Sequence, residues 1–367
     1  MSSPSDLTVP SPADFHVHLR QAPLTSLLVP HVREGGFDLA YVMPNLTPPL
    51  TLPSHTVAYL QHLRSLDPRT HFLGTLYLSP ALTPRLIEEA AQAGIVGVKS
   101  YPRGVTTNSD GGIENYEVYY EVFEEMEKQN MILNLHGEVP SDHANNISVL
   151  TAEAAFLSHL RKLHARFPKL RMVLEHATTR AAVECVKSLG ETVGCTITPH
   201  HLDLVVDDWA GKPVNFCKPV AKHPDDRQAL RDIIKAGHPR FFLGSDSAPH
   251  PMHSKLPSAS THGASALQHS CAAGIYTSPI LLPLCATLLE SFGALHRLNG
   301  YVSEFGRAFY GFAAEPQSGS VKLRRTRCKI RDSFAPKAQE GLDSAHKDKV
   351  EIVPFWAGRH LEWEIVR

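Results

Sequence analysis

The sequence predicts an α/β protein, a (β/α)8 TIM barrel with a short C-terminal appendage. Eight short runs rich in Val, Ile, Leu and Phe recur along the chain, and segments of helical spacing alternate with them. A repeated strand-then-helix order builds a parallel sheet, and eight such units close it into a barrel. Strands of this composition are buried on both faces. An open doubly wound sheet fits the same order and is the structural alternative.

The eight runs are 13–19, 39–45, 71–79, 95–101, 131–138, 171–177, 192–201 and 240–246. Helical patterns follow at 82–94, 116–130, 151–167, 178–190 and 225–237. The first of these, "LTPRLIEEAAQAG", has Thr83 as N-cap, Pro84 at the first position and Gly94 as its stop. A further helix near 280–298 precedes the C-terminal part. Residues 1–334 are thus expected to form one catalytic barrel. Residues 335–349, "APKAQEGLDSAHKDK", read as a polar loop, and 350–367 as a segment that packs back on the barrel.

The 367 residues carry a net charge of −1, which gives no electrostatic basis for binding nucleic acid or an anionic membrane surface. No apolar run is long enough to span a bilayer, and the N-terminus lacks the regions of a signal peptide. The six cysteines are scattered without a CxxC pair, as in a reducing, cytoplasmic compartment. The unusual count is histidine, at 22, and its placement carries the information.

Polar, metal-type residues end the runs. His16 and His18 close the first, Asn45 the second and Lys99 the fourth; His136, His176, His200 with His201, and Asp246 close the last four. In a barrel these ends share one mouth, where catalysis is built. A single histidine at a strand end is usually structural, but this many together read as a metal site. "HVH" places two imidazoles at i and i+2, on one strand face. Imidazole and carboxylate suit zinc, and a catalytic site keeps a position open for water. His16, His18 and Asp246 would serve one ion and His136 and His176 a second, so something anionic must bridge them. Lys99 is the candidate. Near two cations and away from water its amine loses its proton, and the neutral amine adds carbon dioxide to give a bidentate carbamate. The ordinary reading, a lysine paired to an acid, lacks a carboxylate on its own strand.

The ordered motifs "DFHVHLR", "YVMPNLTPP", "GVKSYPRGVTTNS", "LNLHGE", "LEHATT", "NFCKPVAK", "GSDSAPHP" and "CAAGIYTSP" resemble those of the dihydroorotases, of the amidohydrolase superfamily, in their compact monofunctional form. The resemblance implies two zinc ions per subunit, with His16, His18 and Asp246 on the first, His136 and His176 on the second, and N6-carboxylated Lys99 as the bridge. It implies that Arg20, Asn45 and His250 hold a substrate carboxylate and that Thr106 and Thr107 lie on a loop closing over substrate. It also implies main-chain substrate contacts at Lys218, which is apolar in bacterial members, and at Ala273. His200 and His201 match no ligand of the family and read as core or supporting residues. The implied reaction is the reversible cyclisation of N-carbamoyl-L-aspartate to L-dihydroorotate in pyrimidine biosynthesis. A metal-bridging hydroxide would be the nucleophile and Asp246 the general base and acid, in a cytoplasmic homodimer.

Three other readings fit parts of the pattern. A hydantoinase- or allantoinase-like enzyme shares the metal cage, but Arg20 and Asn45 favour a substrate with a free carboxylate. A deaminase-like relative needs one metal and no bridging lysine. A non-catalytic dihydroorotase-like scaffold would lack a ligand, and here all six are present.

Overall fold

A computed structural model describes residues 5–256, 271–312, 319–336 and 350–366. All eight expected strands form, shorter than the apolar runs: β2 (Ala13–Val17), β3 (Leu39–Val42), β4 (His71–Tyr77), β5 (Gly97–Ser100), β6 (Ile132–His136), β7 (Arg171–Glu175), β8 (Val193–Ile197) and β9 (Phe241–Leu243). They pair in chain order as one eight-stranded sheet in which every pairing is parallel. The ring closes where Val17 bridges Ser247 and the Asp246 amide donates to the His16 carbonyl at 2.9 Å. The protein is a (β/α)8 barrel.

The helices of the outer layer are α1 (Thr25–Glu34), α2 (Pro53–Leu66), α3 (Pro84–Gln92), α4 (Tyr120–Lys128), α5 (Ala152–Arg166), α6 (Arg180–Ser188), the short α7 (Val206–Trp209), α8 (Pro224–Ala236), the short α9 (Met252–Lys255), α10 (Leu281–Ser291) and α11 (Phe305–Tyr310). Thr83 caps α3 as expected, its hydroxyl accepting from the Leu86 amide at 3.3 Å. Helices α1 and α2 lie outside the sequence reading. Pro30 sits inside α1, where a proline ordinarily breaks the pattern, and α2 has only weak segregation of apolar and polar faces.

Two apolar layers result. One packs the helices against the outside of the sheet. The other fills the barrel interior with Phe15, Tyr41, Leu73, Ile132, Val173 and Phe242. Tyr310 of α11 stacks on Phe15 at 4.4 Å, so this aromatic plug closes the N-terminal end and leaves chemistry to the other mouth.

A second, three-stranded sheet lies outside the eight apolar runs. β1 (Asp6–Pro10), β10 (Ser320–Lys329) and β11 (His360–Ile365) pair antiparallel in the order β1-β10-β11, and β11 packs on α10. The indole of Trp363 is fully buried there and donates to Glu290 at 3.0 Å. Residues 337–349 of the expected polar loop lie outside the described residues.

Candidate metal and substrate site

The C-terminal mouth gathers the residues singled out from the sequence. His16, His18 and Asp246 are buried, with ligand atoms all within 4.8 Å of one another. Asp246 Oδ1 lies 3.1 Å from His18 Nε2 and 3.6 Å from His16 Nε2. Two donors bound to one tetrahedral zinc at about 2.0–2.2 Å stand roughly 3.3–3.5 Å apart, which these distances bracket.

Local backbone geometry produces this convergence. Ala13 and Phe15 point into the barrel, yet Val17 packs in the outer layer. The alternation flips because the pairing of β2 with β3 shifts register between Asp14 and Val17. That irregularity puts both imidazoles of "HVH" on the cavity side. His176 and Asp246 take positive φ, 41° and 44°, and Arg20 takes 54°. A left-handed non-glycine residue costs about 1–3 kcal/mol and persists where surrounding structure enforces it, typically at functional sites.

Carboxylates behind the imidazoles fix their tautomers. Glu175 Oε2 accepts from His16 Nδ1 at 2.7 Å, so Nε2 keeps its lone pair toward Asp246. Glu175 also accepts from Thr196 Oγ1 at 2.5 Å and from Asn134 Nδ2 at 2.7 Å. Glu138 accepts from His136 Nε2 at 2.8 Å, which leaves the lone pair of that ring on Nδ1. The His136 and His176 rings meet at 4.7 Å, and His16 and His176 at 5.1 Å. Glu138 was open to detection, because it follows His136 by two residues in "HGE". Glu175 was not: as the neighbour of His176 it belongs on the opposite strand face, and only the positive φ of His176 lets both turn inward.

A metal ligand must be deprotonated to bind, and the electrostatics here favour that state. Burial lowers His18 to about 4 and His176 well below the usual histidine range. Burial alone would raise Asp246, but the His18 hydrogen bond and the neighbouring imidazoles hold its carboxyl below the ordinary carboxylate range. Burial lowers Lys99 to about 8, against the opposing charges of Glu175 and Asp246.

Two buried polar atoms test whether a metal centre fits. Lys99 Nζ and His176 Nδ1 are fully enclosed and have no hydrogen-bond partner. Buried polar groups are ordinarily paired, and each exception calls for a partner. Lys99 lies opposite Asn134 in the β5–β6 ladder, with Nζ 4.7 Å from the centre of the Tyr101 ring. Imidazoles, a carboxylate and an unpaired buried amine make a donor set that suits divalent zinc.

Arg20 and Asn45, two of the residues expected to hold a carboxylate, border the same cavity, and His250 packs against Arg20. Arg20 Nε donates to the Pro249 carbonyl at 3.1 Å, and its Nη2 lies 3.0 Å from His250 Nε2. That His250 nitrogen is also 3.0 Å from the Ala273 carbonyl. Asn45 Nδ2 donates to the Thr107 carbonyl at 3.1 Å, and Asn108 Nδ2 donates to the Asn45 carbonyl at 2.9 Å, which holds the 105–109 turn over the mouth. Thr106, Thr107, Lys218 and Ala273 all line the cavity with the histidines. His200 and His201 do not; they sit in the turn after β8, buried beside Cys217.

A scan against protein-family models finds no match. The chain is 60% identical to dihydroorotase of Mycosarcoma maydis, covering all of both proteins. It is 41% identical to dihydroorotase of Saccharomyces cerevisiae, over 96% of each. The crystal structure of the Saccharomyces cerevisiae dihydroorotase in complex with 5-fluoroorotic acid superposes with a TM-score of 0.88 at 40% identity, covering 99% of this chain and 98% of that one. With a barrel of this order, a buried imidazole–carboxylate cluster and full-length likeness to these enzymes, the chain belongs to the dihydroorotase family.

Proposed function

We propose that this enzyme interconverts N-carbamoyl-L-aspartate and L-dihydroorotate, with ring closure as the biosynthetic direction. The observation that carries the reading is that Arg20 and Asn45 line the same cavity as His16, His18, His136, His176 and Asp246, with His250 Nε2 3.0 Å from Arg20 Nη2. A guanidinium fork beside a cluster of metal ligands suits a cyclic amide that bears a free carboxylate.

His16, His18 and Asp246 would hold one zinc ion and His136 and His176 another, with Lys99 as an N6-carboxylated bridge. Bound there, divalent cations acidify the attacking water and polarise the ring carbonyl. In hydrolysis, water adds to the ring carbonyl carbon, the carbon–nitrogen bond breaks, and the nitrogen departs with a proton. Asp246 takes the proton of the water and returns it to that nitrogen. Arg20, Asn45 and His250 hold the carboxylate, the backbone at Lys218 and Ala273 borders the ring, and Thr106 and Thr107 exclude water from above. The same reading describes a cytoplasmic homodimer. Its reducing compartment is supported by six cysteines that are all free, and no described helix is long and apolar enough to cross a membrane.

Asp246→Asn tests the assignment, since the amide keeps the shape but cannot carry the proton. The expected result is loss of turnover by at least about a hundredfold, in the range of general acid–base catalysis, with substrate binding still measurable by calorimetry. Near-normal turnover removes Asp246 from the proton path. Turnover of hydantoin or allantoin in preference to dihydroorotate would overturn the substrate assignment.

A further inference from the structure

We propose that His200, His201 and Cys217 form a third metal site, separate from the catalytic cluster and suited to zinc. The three side chains come from the turn after β8 and from the loop that precedes α8, and they are at most 2% exposed. Their ligand atoms all lie within 4.8 Å of one another. Cys217 Sγ and His201 Nε2 are 3.6 Å apart. A thiolate at about 2.3 Å and an imidazole at about 2.0–2.1 Å on one tetrahedral zinc stand roughly 3.5 Å apart, so the pair already has the required span.

The independent sign of a missing ligand is His200. Both of its ring nitrogens are buried and neither has a hydrogen-bond partner. A neutral imidazole carries one donor and one acceptor, and leaving both unpaired is costly. Its ring centre is 4.5 Å from that of His201, which puts the free lone pair beside the other two donors. The Pro219 carbonyl oxygen, 3.0 Å from His201 Nε2 and 3.3 Å from Cys217 Sγ, is placed to complete four-coordination.

Loading is chemically balanced. Cys217 must release its thiol proton, which burial otherwise holds by pushing the thiol up to about 12. His201 must present Nε2 as a lone pair, with the ring proton moved to Nδ1. Thr198 Oγ1, 2.9 Å from Nδ1, then accepts that proton's hydrogen bond. A hydrogen-bond acceptor behind a ligating histidine is the usual support for its orientation. Loading therefore releases one proton per cation. The bound ion would pin the 217–219 segment, which carries the cavity-lining Lys218, to the barrel rim.

The test uses the intact protein, stripped of metal and titrated with cobalt(II). The catalytic ligands offer only nitrogen and oxygen, so a sulfur-to-cobalt charge-transfer band in the near ultraviolet reports a thiolate ligand. The expected result is three cobalt ions per chain, with a band whose final intensity corresponds to one cobalt–thiolate bond per chain. Cys217→Ser and His200→Gln should each abolish the band and lower the count by one. Should Cys217→Ser fail to fold, His200→Gln carries the assignment alone. Two cobalt ions without a band overturn the proposal, and so does a band that persists in either folded variant. Neither result depends on which cyclic amide the enzyme turns over.

Discussion

Glu175→Gln separates the work of a carboxylate from that of its shape. Glu175 is 1% exposed and accepts three hydrogen bonds, two at Oε2 from His16 and Thr196 and one at Oε1 from Asn134. A glutamine can keep its oxygen toward His16 and Thr196 while its amide nitrogen faces Asn134. That contact sets donor against donor unless Asn134 turns over. The turn is feasible, because Asn134 Oδ1 accepts from Tyr41 at 2.9 Å and Nδ2 donates to Tyr310 at 2.7 Å, and either tyrosine hydroxyl can reverse its role. Glu175→Gln should therefore fold. What it loses is the negative charge that holds the His16 proton on Nδ1. Outer carboxylates of this kind contribute roughly 10- to 100-fold in metal affinity or activity, or about 1.4–2.8 kcal/mol. Glu175→Ala instead strands three buried donors at about 1–3 kcal/mol each, enough to unfold a marginally stable protein. The assay is zinc retention against a competing chelator, with circular dichroism as the check on folding. Unchanged zinc affinity and turnover in a folded Glu175→Gln protein would refute the role of Glu175. A Glu175→Gln protein as unstable as Glu175→Ala would refute the reversal of Asn134.

Arg20→Lys keeps the charge and loses the planar fork. A charge-assisted hydrogen bond contributes about 1.5–3 kcal/mol, so KM for dihydroorotate should rise roughly 10- to 150-fold with a smaller change in kcat; an unchanged KM would detach Arg20 from the carboxylate. Lys99 sets a pH dependence for rebuilding the centre in metal-stripped protein. Its amine is lowered to about 8 by burial, and only the neutral form adds carbon dioxide. Going from pH 8 to pH 6 at fixed dissolved carbon dioxide cuts that form from about half to about one part in a hundred, while His18, lowered to about 4, stays neutral throughout. Recovery of activity with zinc should slow in proportion, and recovery that is flat in pH or independent of carbon dioxide would exclude the carbamate. Trp363→Ala should lower stability by about 3–5 kcal/mol in denaturant titration, because it empties the contact between β11 and α10; a loss below about 1 kcal/mol would show that this sheet is not integral to the fold.

Periodicity and composition determined the barrel. Eight apolar runs long enough for buried strands, separated by helical spacing, allow few arrangements, and each run does form a strand. They also determined where the chemistry lies, because parallel strands bring their C-terminal ends to one mouth. The small sheet was hidden for a related reason. Strand β1 pairs with β10 across roughly three hundred residues, β10 pairs with β11 across the 337–349 segment, and β10 is mostly exposed and charged, so no local apolar pattern marks them.

Only the tertiary structure decided which of the polar residues meet. A register shift in β2 turns His16 and His18 inward, against the alternation that Phe15 begins. Glu175 shares the interior face of Val173 and so reaches His16, while a positive φ at His176 brings that neighbouring imidazole inward from a position that should face away. The same folding carries His200 and His201 out of the catalytic cavity and sets them against Cys217, sixteen residues on from His201. These outcomes depend on backbone irregularities and on contacts across the barrel. Neither has a local signature, because the energy that holds them comes from neighbours far away in the chain.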